Sequence, residues 1–273
     1  MRQRENLRCG FFGAPFLIAW LILHSGCAPS GDGKREGDEM KIVFLHHSTG
    51  KVIWDAGVKR WFEEYRRETG RTYRIDEAAF PRRSPYGWSN GPYDYWNIWV
   101  GNAGPKKYMK EPTLEILTKK YGVIVWKHCF PVSDIAPDTG EADIASEARR
   151  VENYKLQYIA LKEKMREFPE TMFLVWTGAA LTAGATDEDS ARRARAFFEW
   201  VRGEWDEKGD NIYLWDFREL ETEGGLYLKD GYAAGPSDPH PGEAFARRVA
   251  PLLCRRIVDV IEGRGDESSL TGE

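Results

Sequence analysis

The chain has 273 residues with 42% hydrophobic and 30% charged side chains, enough apolar length for one sizeable core. Its formal net charge of −4 and isoelectric point near 5.9 give none of the signature of a nucleic-acid binder, which normally shows a concentrated basic face. Four cysteines, of which only Cys129 and Cys254 fall in the body of the chain, exclude a disulfide framework. Cys254 sits in an apolar helical pattern and reads as a buried thiol.

The first element is a basic start, MRQRENLR, followed by the thirteen-residue apolar run Phe11–Leu23. A membrane-spanning helix needs about 20 residues, so this run fits a secretory signal better. The following HSGC resembles a bacterial lipoprotein signal, although His24 stands where an aliphatic residue is usual. The resemblance implies a signal peptide over 1–26, cleavage before Cys27 and lipidation of Cys27. It also implies a lipid-anchored protein of the cell envelope; ordinary secretion or release to the periplasm is the alternative. Residues 27–40 are Gly-rich and charged without apolar period and read as a flexible tether.

From Lys41 the pattern alternates between strand and helix. KIVFL is an uninterrupted apolar run, suited to a strand buried on both faces. Val52 to Arg67 has helical spacing, RTYRIDEA is a second strand, and Phe80 to Gly104 is irregular and aromatic. A short helix in EPTLEILTKKYG precedes the third strand, VIVW. A long helix runs from Glu141 to Phe168, then comes the fourth strand, TMFLVWT. Asp187 to Trp205 is helical, NIYLWDF is the fifth strand, and Glu243 to Glu262 is the last helix. Residues 263–273 are polar and read as a disordered tail. Such alternation specifies an α/β fold with a five-stranded parallel sheet between two helical layers.

In a sheet of this kind ligands bind beyond the carboxyl ends of the strands. Those ends carry HHSTG after strand one, KHCFPVSDI after strand three and TGAALTAG after strand four. The loop before the last helix reads GPSDPHPGEAF. His46, His47, His128 and His240, the four histidines beyond the signal, all fall at this edge. Serine becomes a nucleophile when an imidazole takes its proton and a carboxylate orients the imidazole. Ser48 at a strand-to-helix junction, His240 between two prolines and Asp238 two residues earlier supply those types. The competing reading of Ser48 is a helix N-cap.

With these residues in view, Lys41 to Glu262 resembles the SGNH/GDSL hydrolase superfamily. The resemblance implies a flavodoxin-like three-layer fold and a catalytic Ser48, Asp238 and His240, with Asp216 as a rival acid. The usual Gly-Asp before the serine is His46-His47 here, and Lys127-His128-Cys129 replaces the Gly-x-Asn-Asp block after strand three. The oxyanion and substrate-lining groups are then sought among His47, Gly50, Gly101, Asn102, Lys127 and His128. His47 and His128 also read as ordinary polar residues closing a strand, and Lys127 as a surface lysine. The segment Ser84 to Asn102 offers aromatic faces that stack on sugars or simply pack.

The implied activity is a membrane-tethered serine esterase or acylhydrolase, acting on a small ester or an acylated carbohydrate. No cofactor, metal or nucleic-acid partner is expected. The alternatives are a non-catalytic glycan- or partner-binding protein on the same fold, an acyltransferase, or a metal-dependent hydrolase using the histidines with Asp238.

Overall fold

The computed structural model describes residues 39–87 and 89–273. The expected signal, Cys27 and nearly all of the tether lie outside the described residues. The first strand, β1 (Met40–His46), runs into a short helix α1 (Thr49–Ile53). A wider turn follows, with Gly57 at φ 121°, and then α2 (Lys59–Thr69). The helix expected from Val52 to Arg67 is therefore interrupted at a glycine, the residue that adopts positive φ without steric cost.

Next come β2 (Tyr73–Ala79), α3 (Pro92–Trp96), α4 (Leu114–Leu117) and β3 (Val123–Trp126). The chain continues through α5 (Val151–Arg166), β4 (Met172–Trp176), α6 (Glu188–Trp200) and β5 (Ile212–Trp215). It ends with α7 (Phe217–Thr222), a hairpin of β6 (Ala233–Gly235) and β7 (Asp238–Pro241), and α8 (Glu243–Ile261).

The five long strands form one parallel sheet in the order β2-β1-β3-β4-β5. That is the doubly wound order with a switch point between β1 and β3. The continuous apolar strands have buried residues on both faces, as a covered parallel sheet requires. Val43 and Leu45 of β1 join Ile124, Trp126, Phe173 and Val175 in a core with α3, α5 and α6. Ile42 and Phe44 join Val123, Val125, Leu174 and Trp176 in the opposite core with α2 and α8.

Three further expectations are corrected. The long helix begins at Val151, not Glu141. Asp138 Oδ1 accepts the Glu152 amide at 3.1 Å, while the Glu152 carboxylate accepts the Thr139 and Gly140 amides at 2.8 and 2.9 Å. These bonds tie residues before Val151 into a loop and cap the helix from a distance in sequence. The segment before α8 is a hairpin rather than a plain loop, closed by Gly242 N–H donating to Tyr232 O at 2.7 Å.

The residues 263–273 are a packed strap, not a disordered tail. Buried Arg256 of α8 donates to Leu214 O, Gly265 O and Ser268 Oγ at 2.8, 2.7 and 2.7 Å. Trp215 Nε1 donates to Thr271 O at 3.0 Å, and the Asp216 amide to Leu270 O at 2.8 Å. A polar composition left the strap looking unstructured, but its backbone carbonyls satisfy donors that the fold buries at the β5 edge.

Candidate active site

The site is built on the turn that leaves β1. His47 O accepts the Gly50 amide at 2.9 Å, and Ser48 between them has φ 48° and ψ −109°. That is the first central position of a type II′ turn, where glycine is normally found. A serine there costs about 1–3 kcal/mol of backbone strain. Ser48 precedes α1, yet its side chain makes no cap hydrogen bond. Its Oγ is instead hydrogen-bonded to His240 Nε2. Ser48 is thus the N-cap residue of α1 by position, but its side chain does not cap the helix.

His240 is carried by β7, and its ring is edge-on to Phe130 at 5.3 Å between centroids. Its Nδ1–H donates to Asp238 Oδ1 at 2.6 Å, and its backbone amide donates to the same oxygen at 3.1 Å. The two bonds hold the Asp238 carboxyl below its usual value, the side-chain bond contributing most. Asp238 is 56% exposed, so water screens its charge and its main effect on the imidazole is orientation. With the proton on Nδ1, Nε2 is the lone-pair nitrogen facing the serine hydroxyl.

Asp216, the rival acid, is committed elsewhere. It accepts Thr177 Oγ1 at 2.5 Å, Arg202 Nη1 at 2.8 Å and the Glu219 amide at 3.3 Å as the cap of α7.

The two adjacent histidines part to opposite sides. His46 is buried against Phe44, with Nε2 3.0 Å from Glu77 Oε2. Burial, then the Lys127 charge, pushes its pKa down to about 3. His47 Nε2 lies 2.5 Å from Pro81 O, and burial holds it below its usual value. Its backbone carbonyl, more than its ring, belongs to the Ser48 turn.

Several expected oxyanion donors are not free to serve. The Gly50 amide is spent on His47 O; the glycine is needed because a Cβ there would stand 2.5 Å from His46 Cβ. Asn102 donates its amide and Nδ2 to Asn97 O, both at 2.9 Å, closing its own helical segment beside Gly101. His128 points into the core, boxed by Tyr95, Trp126 and Tyr158 at 4.6, 5.2 and 5.6 Å. It is 1% exposed, and burial drives its pKa well below normal, so it is a neutral core residue and not a lining donor. Lys127 is fully buried rather than a surface lysine.

Two other polar groups stand without partners among the described residues, the Ser48 amide and the Asn90 side chain. Among the described residues the Ser48 amide has no acceptor. Asn90 was not singled out in the sequence, where Asn-Gly signals only a turn. Its carbonyl accepts the Cys129 amide at 3.2 Å, at the start of the loop that places Phe130 on His240. Its side-chain amide is buried and has no hydrogen-bond partner among the described residues.

Among the described residues no three His, Cys, Asp or Glu side chains converge on a position that could hold a metal ion. His46 and His47 are parted by strand alternation, His128 enters the aromatic core, and His240 stands on the β7 hairpin.

No protein-family model matches the chain, and no curated protein matches it. Some solved structures are similar. An acetyl xylan esterase aligns at 16% identity and TM-score 0.46, over 78% of this chain and 96% of its own. A gut microbial diltiazem-metabolizing enzyme aligns at 12% identity and TM-score 0.45, over 86% of this chain and 48% of its own. A carbohydrate esterase, whose active site displays divergent catalytic and non-catalytic binding functions, aligns at 11% identity and TM-score 0.38. That match covers 86% of this chain and 68% of its own.

Proposed function

We propose that the protein is a serine esterase of the SGNH type that removes small acyl groups. The observation that carries this reading is the continuous chain of hydrogen bonds from Ser48 Oγ through His240 to Asp238. Ser48 Oγ attacks the ester carbonyl, and its proton passes to His240 Nε2. Asp238 keeps the other ring proton on Nδ1 and steadies the imidazolium. The Ser48 amide donates to the oxyanion, and we assign the unpartnered Asn90 side-chain amide, on the segment that bonds the Cys129 amide, as the donor that joins it. His240 then protonates the leaving alkoxide, and water attacks the acyl-serine by the same relay in reverse.

His240 is 35% exposed and Asp238 56%, so the relay stands on an open rim of the sheet. An open rim suits an acyl group projecting from a large substrate, such as an acetylated carbohydrate. With Cys27 lipidated, residues 27–40 would tether such an enzyme to the cell envelope.

Fluorophosphonate labelling and p-nitrophenyl acetate hydrolysis test the reading. Wild type is expected to label and turn over, and Ser48→Ala to do neither. Equal reaction of the two, or a folded wild type that does neither, removes the esterase assignment. The engaged amides of Gly50 and Asn102 favour a second reading, a glycan-binding protein without turnover. Glycan binding with no ester hydrolysis would select it.

A further inference from the structure

After β3 the chain alternates between the two cores. His128 enters the core with α5, whereas Lys127 passes under the nucleophile turn, its Nζ 6.0 Å from the Trp176 ring centroid. Lys127 is 0% exposed and makes no ion pair among the described residues. Its Nζ donates to His47 O at 3.4 Å and to Cys129 Sγ at 3.2 Å. The Cys129 thiol in turn donates to His47 O at 3.7 Å. Together with the Gly50 amide, three donors meet at one carbonyl, the one that opens the Ser48 turn. The lysine stem also bears directly on the turn: a Cβ on Gly50 would lie 3.0 Å from Lys127 Cδ.

Burying an ammonium without an ion-paired carboxylate is costly, and an apolar side chain of similar shape would avoid that cost; buried Glu221 interacts electrostatically with Lys127 but forms no ion pair with it. A residue kept only for packing has no need of the charge. The contacts of Lys127 converge instead on the backbone that holds Ser48 at positive φ. We propose that Lys127 is the positioning residue of the nucleophile turn, clamping the His47 carbonyl so that Ser48 Oγ stays on His240. The proposal rests on the reading of Ser48 as nucleophile. It assigns a role to the Lys-His-Cys sequence that stands where the resembled family carries Gly-x-Asn-Asp.

The test uses the full chain and Lys127→Met, which keeps the stem and removes the donor and charge. With p-nitrophenyl acetate, kcat is expected to fall about 10–100-fold while KM stays within about twofold, the signature of a misplaced nucleophile. Lys127→Gln keeps a donor without charge and is expected to recover part of the loss. A second readout is independent of turnover. Ser48→Gly and Ser48→Ala are expected to differ in Tm because only glycine relieves the strained turn. With Lys127 present that gap is about 2–4 °C. In the Lys127→Met background the turn can relax, and the gap is expected to shrink by at least half.

An active wild type with unchanged kcat in Lys127→Met overturns the clamp. If wild type neither labels nor turns over, the esterase reading has failed, and the Tm gap alone decides. An unchanged gap then overturns the clamp, and a reduced gap supports it. Should Lys127→Met not fold, Lys127→Gln carries both readouts.

Discussion

Replacing Ser48 by glycine is expected to make the protein inactive and more stable than replacing it by alanine. Both substitutions delete the Oγ–His240 hydrogen bond, a loss of about 0.5–1.5 kcal/mol. Alanine retains a Cβ and so keeps the strain of φ 48° and ψ −109°. Glycine relieves that strain, about 1–3 kcal/mol. Against this stands the larger backbone entropy of glycine in the unfolded chain, about 0.5–1 kcal/mol. The difference favours Ser48→Gly over Ser48→Ala by about 1 kcal/mol, which for a domain of this length is about 2–4 °C in Tm. Paired urea and thermal melts measure it, with p-nitrophenyl acetate hydrolysis confirming that both variants are inactive. If Ser48→Ala proves as stable as Ser48→Gly, or more so, the turn is not strained and Ser48 is not held there at an energetic cost.

Asp238→Asn is expected to lower kcat by about 10–1,000-fold, less than for a buried triad acid, because the carboxylate is exposed and contributes chiefly orientation; steady-state kinetics check it. Glu221 is fully buried and its Oε2 accepts the Ala180 amide at 2.7 Å; burial raises its pKa to about 8. The folded state thus holds a proton that the unfolded state releases above about pH 4.5, so stability from this group is lost as pH rises from there through about 8. Glu221→Gln, which keeps the acceptor, is expected to gain a few kcal/mol at pH 8 and little at pH 4.5 in urea melts. His46 works in the opposite sense: its folded pKa near 3 lies below the unfolded 6.5, so stability falls as pH drops from 6.5 toward 3. Removing residues 265–273 leaves Arg256 without the Gly265 and Ser268 acceptors and is expected to cost about 3 kcal/mol or more, read as a lowered urea midpoint.

The broad architecture was legible because it depends on short-range pattern. Uninterrupted apolar strands such as KIVFL and VIVW, alternating with helical periods, imply a parallel sheet covered on both faces, and β1 and β3 are buried on both faces. The rule that ligands gather at the carboxyl ends of strands then selects Ser48, Lys127 and His128 as residues of interest. Which of them face one another is a different matter. His128 and Lys127 are neighbours in sequence, yet one enters the aromatic core and the other lies beneath the Ser48 turn. Asn90 gave no signal beyond a turn, because being buried without a partner is a property of tertiary environment.

Ser48, Asp238 and His240 could be named from residue type and local order, because serine, carboxylate and imidazole carry their chemistry wherever the chain puts them. Their assembly could not, since 192 residues separate Ser48 from His240 and only the packing of α8 and its preceding hairpin against the sheet joins them. Sequence also could not reveal that Ser48 stands in a glycine conformation, or that a buried lysine and thiol hold the carbonyl before it. Residue identity specifies which groups can react. Backbone dihedrals and burial, set by contacts remote in the chain, decide which of them are in position to do so.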